Sequence, residues 1–300
     1  MRRWLALAAT TLVAPAMALT VPAAAQAAPA TARTGAITAP VGAGTGAANA
    51  LRRQFAKKTG ITVHETARIR LDGEVLFSHR LGGRLRFAPT GVDAADVSIV
   101  AESGGPGGDA RTRVIMLDGH QYMKSSMYDG LLPEGRTWLR TPGADPAGLA
   151  GDGLVDALRP EVLAAVLATA DGKASGGRVG GAPTTLLHGA ISLKALGKVS
   201  PTARIYQRAA GKKKITVPWK LWLGADRLPR RVQSTFTLPT RHKSPALSIS
   251  TDVTFTGWGG KVTVTAPPAY LTVDVQDLRY VPPPPPDFTT KIEGLVRDEH

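Results

Sequence analysis

The sequence predicts an α+β fold in which one large, curled antiparallel β-sheet, a half-barrel, wraps around a few short helices. Three observations carry this. Between Leu247 and Phe255, Leu247, Ile249, Val253 and Phe255 alternate with Ser248, Ser250, Asp252 and Thr254, the period-2 pattern of a strand with one dry and one wet face. The same alternation recurs over most of the chain from Ile61 onward. Helical spacing is confined to a few short segments. About nine strands of about eight residues make a sheet roughly 26 Å by roughly 43 Å, whereas a helix is about 10–12 Å wide. Two or three helices leave such a face uncovered unless the sheet curls, as large twisted sheets do.

The start of the chain reads as an address. Met1-Arg2-Arg3 is a basic head, Leu5 to Val21 an apolar run, and Ala25-Gln26-Ala27 a small-x-small cleavage site, together a secretory signal peptide over residues 1–27. Ala28-Pro29-Ala30 offers a second cleavage point after Ala30. An uncleaved membrane anchor fits less well, because Pro15 interrupts the run and its length falls short of the about 20 residues that spanning needs. Residues 28–44, rich in Ala, Thr, Gly and Pro, read as a flexible lead-in. The folded domain spans 45–281, and 282–300 form a proline-rich polar tail whose prolines 282–286 are extended and unable to pair. The chain has no cysteine, hence no disulfide and no thiol for a lipid anchor. The expected location is secreted or extracytoplasmic, not lipid-anchored, with no transmembrane segment in the mature protein.

Taken in order, Ala47, Ala48, Leu51 and Phe55 sit at helical spacing and Gly60 suits the helix end. Ile61, Val63, Ala67, Ile69 and Leu71 share one parity. Asp72-Gly73 turns the chain, and Val75, Phe77, Leu81, Leu85 and Phe87 continue, with Gly82-Gly83 marking a bulge or second turn. Val97, Ile99 and Ala101 make a third strand, and Arg113 to Leu117 a fourth that Asp118-Gly119 turns back. Residues 142–170 read as two short, nearly all-apolar helices, one over Leu154 to Leu158 and one opening at Pro160. Strands resume at Thr185 to Leu193, pass a basic, partly helical connector at Leu196 to Lys214, and continue through Val217, Trp219 and Leu221 to Val232, Phe236 and Leu238. Gly257 to Gly260 is read as a turn joining the Leu247 strand to a partner at Val262 and Val264. Tyr270 to Val281 adds a last strand or short helix.

The formal charge is +14, or +12 without Arg2 and Arg3. Such an excess favours an anionic membrane or wall surface, with Arg208 to Lys214 as the most concentrated contact. Aromatics at 5% and an exported address exclude nucleic acid as a partner. Catalytic signatures are missing. There is no HExxH and no GxSxG, thiol chemistry is excluded, and the glycine-rich stretch from Ser103 to Asp109 has no lysine to cradle phosphate. The six histidines, His64, His79, His120, His188, His242 and His300, show no metal-ligand spacing. No enzyme activity, cofactor or metal is therefore expected. His79 and His188 read as core histidines with satisfied hydrogen bonds. Glu65 also falls on the apolar parity, and a buried carboxylate costs several kcal/mol unless paired. It is expected at a sheet edge or cavity mouth, or facing an arginine. Trp219 and Trp222 differ in parity, so one points inward; Trp222 is expected to pack under the connector.

The series Tyr122-Met123-Lys124, Leu132 to Trp138, His188 to Leu193, Leu221 to Arg231 and Thr254 to Ala269 resembles actinobacterial envelope proteins of the LppX/LprG type, relatives in fold of the LolA/LolB lipoprotein carriers. The resemblance covers roughly Leu51 to Tyr270 and rests on strand-and-turn punctuation. It implies a half-barrel over helices with an apolar cavity for the acyl chains of a lipid or lipoglycan. The lipidated cysteine of many members is absent.

These readings converge on a secreted, non-catalytic lipid or acyl-chain binding protein of the cell envelope. The candidate cavity-lining residues are the inward-facing Leu71, Phe77, Phe87, Ile99, Leu163, Val166, Leu167, Trp219, Leu221, Phe236, Val253 and Phe255. The alternative is an extracytoplasmic protein-interaction or sensor module with a filled core and no ligand.

Overall fold

A computed structural model of the protein describes residues 43–103, 110–143, 146, 154–211, 213–238 and 246–278, all within one compact unit, Ala36–His300. The expected signal peptide, most of the lead-in and the proline-rich tail lie outside the described residues. Helix α1 (Ala43–Ala56) is followed by β1 (Gly60–Leu71), β2 (Glu74–Ala88), β3 (Gly91–Ser103), β4 (Ala110–Leu117), β5 (His120–Ser125) and β6 (Trp138–Pro142). Then come α2 (Pro160–Leu167), β7 (Ala170–Val179), β8 (Ala182–Ser192), α3 (Leu193–Leu196), α4 (Pro201–Ala210), β9 (Thr216–Gly224), β10 (Pro229–Leu238), β11 (Leu247–Gly260) and the short β12 (Thr272–Asp274).

All twelve strands form one open sheet in the order β12-β6-β5-β4-β3-β2-β1-β11-β10-β9-β8-β7. Two meanders, β1 to β6 and β7 to β11, meet where β1 pairs antiparallel with β11 from Leu71↔Leu247 to Gly60↔Gly260. The inner face carries one continuous apolar cluster against the helices, so the half-barrel expected from the sequence is the fold. Asp72-Gly73 and Asp118-Gly119 turn their hairpins with positive φ at both residues, 50° and 86°, 52° and 74°, as the tight turn requires.

The structure revises four expectations. Gly82-Gly83 is neither bulge nor turn; β2 runs through it, and the register shifts fall at Ile69/Arg70 and Arg86/Phe87 instead. Gly83 is there for closeness, since a methyl on it would lie 2.6 Å from the Val97 Cα. Leu154 to Leu158 form a buried, non-helical turn, because the Asp156 side chain takes the Leu158 backbone N–H at 2.9 Å and so competes with a helix. β7, an edge strand of sequence ADGKASGGRV, was not visible as alternation because it buries almost nothing. Gly257 to Gly260 do not make a hairpin. β11 continues to Gly260, and the next segment crosses the outer face as a strap, where Val264 packs on Ala94, Ile115 and Trp138 in a second small cluster. Arg136 clamps the end of this strap by donating to the carbonyls of Ala269, Tyr270 and Thr272.

A Gly83→Ala substitution overpacks the β2–β3 contact. It is expected to lower stability by about 1–3 kcal/mol, read as a lower urea midpoint at an unchanged slope.

Candidate functional site

The inner face is built from strand parity. Ten of the twelve candidate lining residues, Phe77, Phe87, Leu163, Val166, Leu167, Trp219, Leu221, Phe236, Val253 and Phe255, lie in the one apolar cluster, each at most 3% exposed. Leu71 and Ile99 are half-buried against the same cluster. Phe87 meets Phe55 of α1 at 4.9 Å and Trp258 at 5.8 Å between ring centroids, and Phe236 meets Tyr206 of α4 at 5.2 Å. A side chain with almost no exposure touches protein on every side, so a guest chain reaches these residues only if the helical layer lifts. α1 and α2 are held close; a methyl on Gly44 would sit 2.8 Å from the Ala164 carbonyl oxygen, and Arg52 pairs with Glu161 at 3.0 Å on the exposed side.

Register arranges a transverse row of small residues across this face. Ala101, Ala67, Thr251, Ser234 and Gly189 follow one another, with His79 and Trp219 in the same row. Thr169, just after α2, presses on the Gly189 end of this row, where a methyl on Gly189 would clash with its carbonyl oxygen, and its hydroxyl accepts from Trp219 Nε1 at 3.1 Å. Cover thins over β3, where Ile99 and Ala101 are only half-buried, and at the same end of the sheet Met127 and Leu131 are exposed. That end also holds a hollow of about 400 Å³ lined by Arg111, Lys124, Tyr128 and Arg136 among others. The Tyr128 hydroxyl is buried without a hydrogen-bond partner among the described residues, and burial raises its pKa.

Beside the thin cover lies a group of polar side chains in the core. Glu65 is not at an edge. It sits on the central strand β1, its side chain fully buried, with Oε1 3.2 Å from His79 Nε2. Glu65 Oε2 has no hydrogen-bond partner among the described residues. Asp156 closes the group from the helix side, its Oδ2 accepting from Arg159 Nε at 3.0 Å. Burial pushes the Asp156 carboxyl from its ordinary 3.8 up to about 6; the Leu158 N–H and Arg159 offset part of this, and the Glu65 charge adds to it. Sequence reasoning singled out Glu65 and His79 but missed Asp156. Its signal was an acid in the middle of the apolar run from Leu154 to Leu158. His188 is not a core histidine. It is exposed on the outer face and pairs with Asp171 at 2.9 Å. Trp219 is the inward tryptophan, while Trp222 lies outward under Arg231, whose guanidinium stacks 5.1 Å from its ring. Among the described residues, no group of three or more His, Asp or Glu is placed to hold a metal ion, and no helix is long and apolar enough to cross a membrane.

No family model matches the chain, and no curated protein does. Among solved structures it is similar to LprF from Mycobacterium bovis, with 17% identity and a TM-score of 0.40 over 74% of this chain and 96% of that one. It is also similar to the Mycobacterium tuberculosis lipoprotein LppX, with 15% identity and a TM-score of 0.37 over 72% and 99%. A third is the Pseudomonas aeruginosa MucA/MucB complex, at 17% identity and a TM-score of 0.26 over 74% and 58%.

Because the folded state raises the Asp156 pKa to about 6, it binds this proton more tightly than the unfolded chain. The contribution of Asp156 to stability is therefore full below about pH 4 and lost as pH rises through 6. Asp156→Asn keeps an acceptor for Leu158 and is expected to flatten the fall in thermal midpoint between pH 4 and pH 7, checked by paired melts of the two proteins.

Proposed function

We propose that the protein is a non-catalytic, extracytoplasmic carrier of acyl-chain lipids, exported by its signal peptide and not covalently anchored. The observation that supports this most is the half-open inner face at Ile99 and Ala101, set between a continuous apolar cluster and buried polar groups. An acyl chain entering there is driven by removal of methylenes from water, worth about 0.8 kcal/mol each, less the cost of ordering the chain and moving the helices. Arg111 and Lys124 at the nearby hollow are cations suited to an anionic head group, and the exposed Met127 and Leu131 offer apolar contact with a membrane surface.

A second reading has its own observation. Ten candidate lining residues at no more than 3% exposure fit a filled core, as in a protein-interaction or sensor module that takes no ligand. On that reading Ile99 and Ala101 are merely the thin side of the core.

Mass spectrometry of organic extracts from purified protein separates the two. A carrier yields a co-purifying acyl lipid and takes up a fluorescent fatty acid, and Ile99→Lys, which leaves a charge at the opening, lowers that uptake about tenfold or more while the far-UV circular dichroism stays that of a folded sheet. Absence of both lipid and uptake in the unaltered protein rejects the carrier and leaves the filled module.

A further inference from the structure

The face of the sheet turned away from the helices is not flat between β1 and β7. The β7–β8 hairpin folds back over it. A methyl on Gly180, at the hairpin tip, would lie 2.8 Å from Thr256 Cγ2 of β11, and one on Gly176 would lie 2.8 Å from Trp222 Cδ1 of β9. The hairpin thus closes one end of a groove of about 850 Å³, floored by β9, β10 and β11 and bordered by β1 and β8.

Cross-strand register sets out what lines it. His188, Lys220, Gln233, Asp252 and Thr66 follow one another across five strands in one row, and Thr235, Ser250 and Arg68 stand in the next. The carboxylates are engaged. Asp252 takes Arg231 on both oxygens, at 2.8 and 2.5 Å, and Gln233 at 2.8 Å. Burial alone would raise its pKa, but these bonds outweigh it and hold the carboxyl below the usual carboxylate range, with Arg68 adding to the lowering. Asp171 is held by His188. Arg68 and Lys220, both exposed, have no hydrogen bond or ion pair among the described residues. Three strand spacings across and two residues along put their backbones about 16 Å apart, with hydroxyls and an amide between.

We propose that this groove binds a polyhydroxylated chain bearing at least two anionic groups, a phosphorylated or carboxylated glycan or polyol. Two free cations at the ends of a floor of hydroxyl and amide groups match anions separated by hydroxyl-bearing carbons, and charge-assisted hydrogen bonds are the strong ones. The floor strands present Lys220, Gln233, Thr235, Ser250 and Asp252, while Ala174, Leu186, Ala190 and Pro218 add apolar surface toward the β7–β8 side. A nucleic acid finds no stacking platform, because Trp219 is 2% exposed and the Trp222 face is taken by Arg231. The groove lies on the opposite face of the sheet from the acyl-chain opening and does not depend on it.

The test is calorimetric titration with a free poly(glycerol phosphate) oligomer and with dextran of equal length, alongside co-sedimentation with neutral phosphatidylcholine vesicles carrying a lipid-linked glycerol phosphate polymer. Binding of the free oligomer marks a free polymer as ligand, and binding only to the vesicles marks a lipid head group; both support the site. Arg68→Ala with Lys220→Ala is expected to weaken binding about tenfold or more, and Lys57→Ala with Lys58→Ala, at the end of α1, to leave it unchanged. The proposal is overturned if neither form binds, if dextran binds equally, if the groove variant binds like the unaltered protein, or if both variants lose affinity alike.

Discussion

The β1–β11 ladder is the interaction on which the rest of the protein depends. Each meander forms from neighbouring hairpins, but the two become a single sheet only because Gly60–Leu71 pairs along its length with Leu247–Gly260. The partners are most of the domain apart in sequence, so the entropy of closing that loop is met only once both meanders are in place. The ladder also puts Glu65 at the middle of the inner face and Arg68 at the middle of the outer one. Without it, the helices would have two narrower sheets to cover and no curl to fill.

Much of the fold was legible because burial writes itself as alternation. β1, β9, β10 and β11 each bury one face, and their apolar parity in the sequence is the parity seen. The two Asp-Gly turns were legible for a different reason, since few residue pairs accept positive φ twice in succession. β7 was illegible because an edge strand that buries neither face has no alternation to show. Val262 and Val264 misled in the opposite way. They have strand parity, yet what they cover is an apolar patch on the outside of the first meander, and parity does not say against which face a segment will lie. The polar group in the core was half legible. Glu65 and His79 each stood out on the apolar parity, but their pairing depends on the register across the β1–β2 hairpin, and the approach of Asp156 depends on a helix packing from the other side.

The two faces of the sheet separate two kinds of chemistry by the thickness of one backbone layer. Ser234 and Thr251 share a hydrogen bond at 2.9 Å on the inner face, directly behind the Gln233 and Asp252 of the outer groove. Inside, polar groups are few and enclosed, and burial raises the pKa of the Asp156 carboxyl among them. Outside, arginines are fixed by cross-strand carboxylates, as Arg113 is by Asp96 and Arg86 by Asp93. Other cations, Arg68 and Lys220 among them, have no such partner among the described residues, and it is their position, more than the net charge of the chain, that gives the outer face a direction.

The strap after β11 has a bearing on how the protein matures. The patch of Ala94, Ile115 and Trp138 is made by strands synthesised early, while Val264 and Leu271, which seal it, leave the ribosome more than a hundred residues later. Until then the first meander presents oily surface on both sides, the condition under which a chaperone would be its natural shield. A proteolytic nick within the strap would return the finished protein to that adhesive, juvenile state.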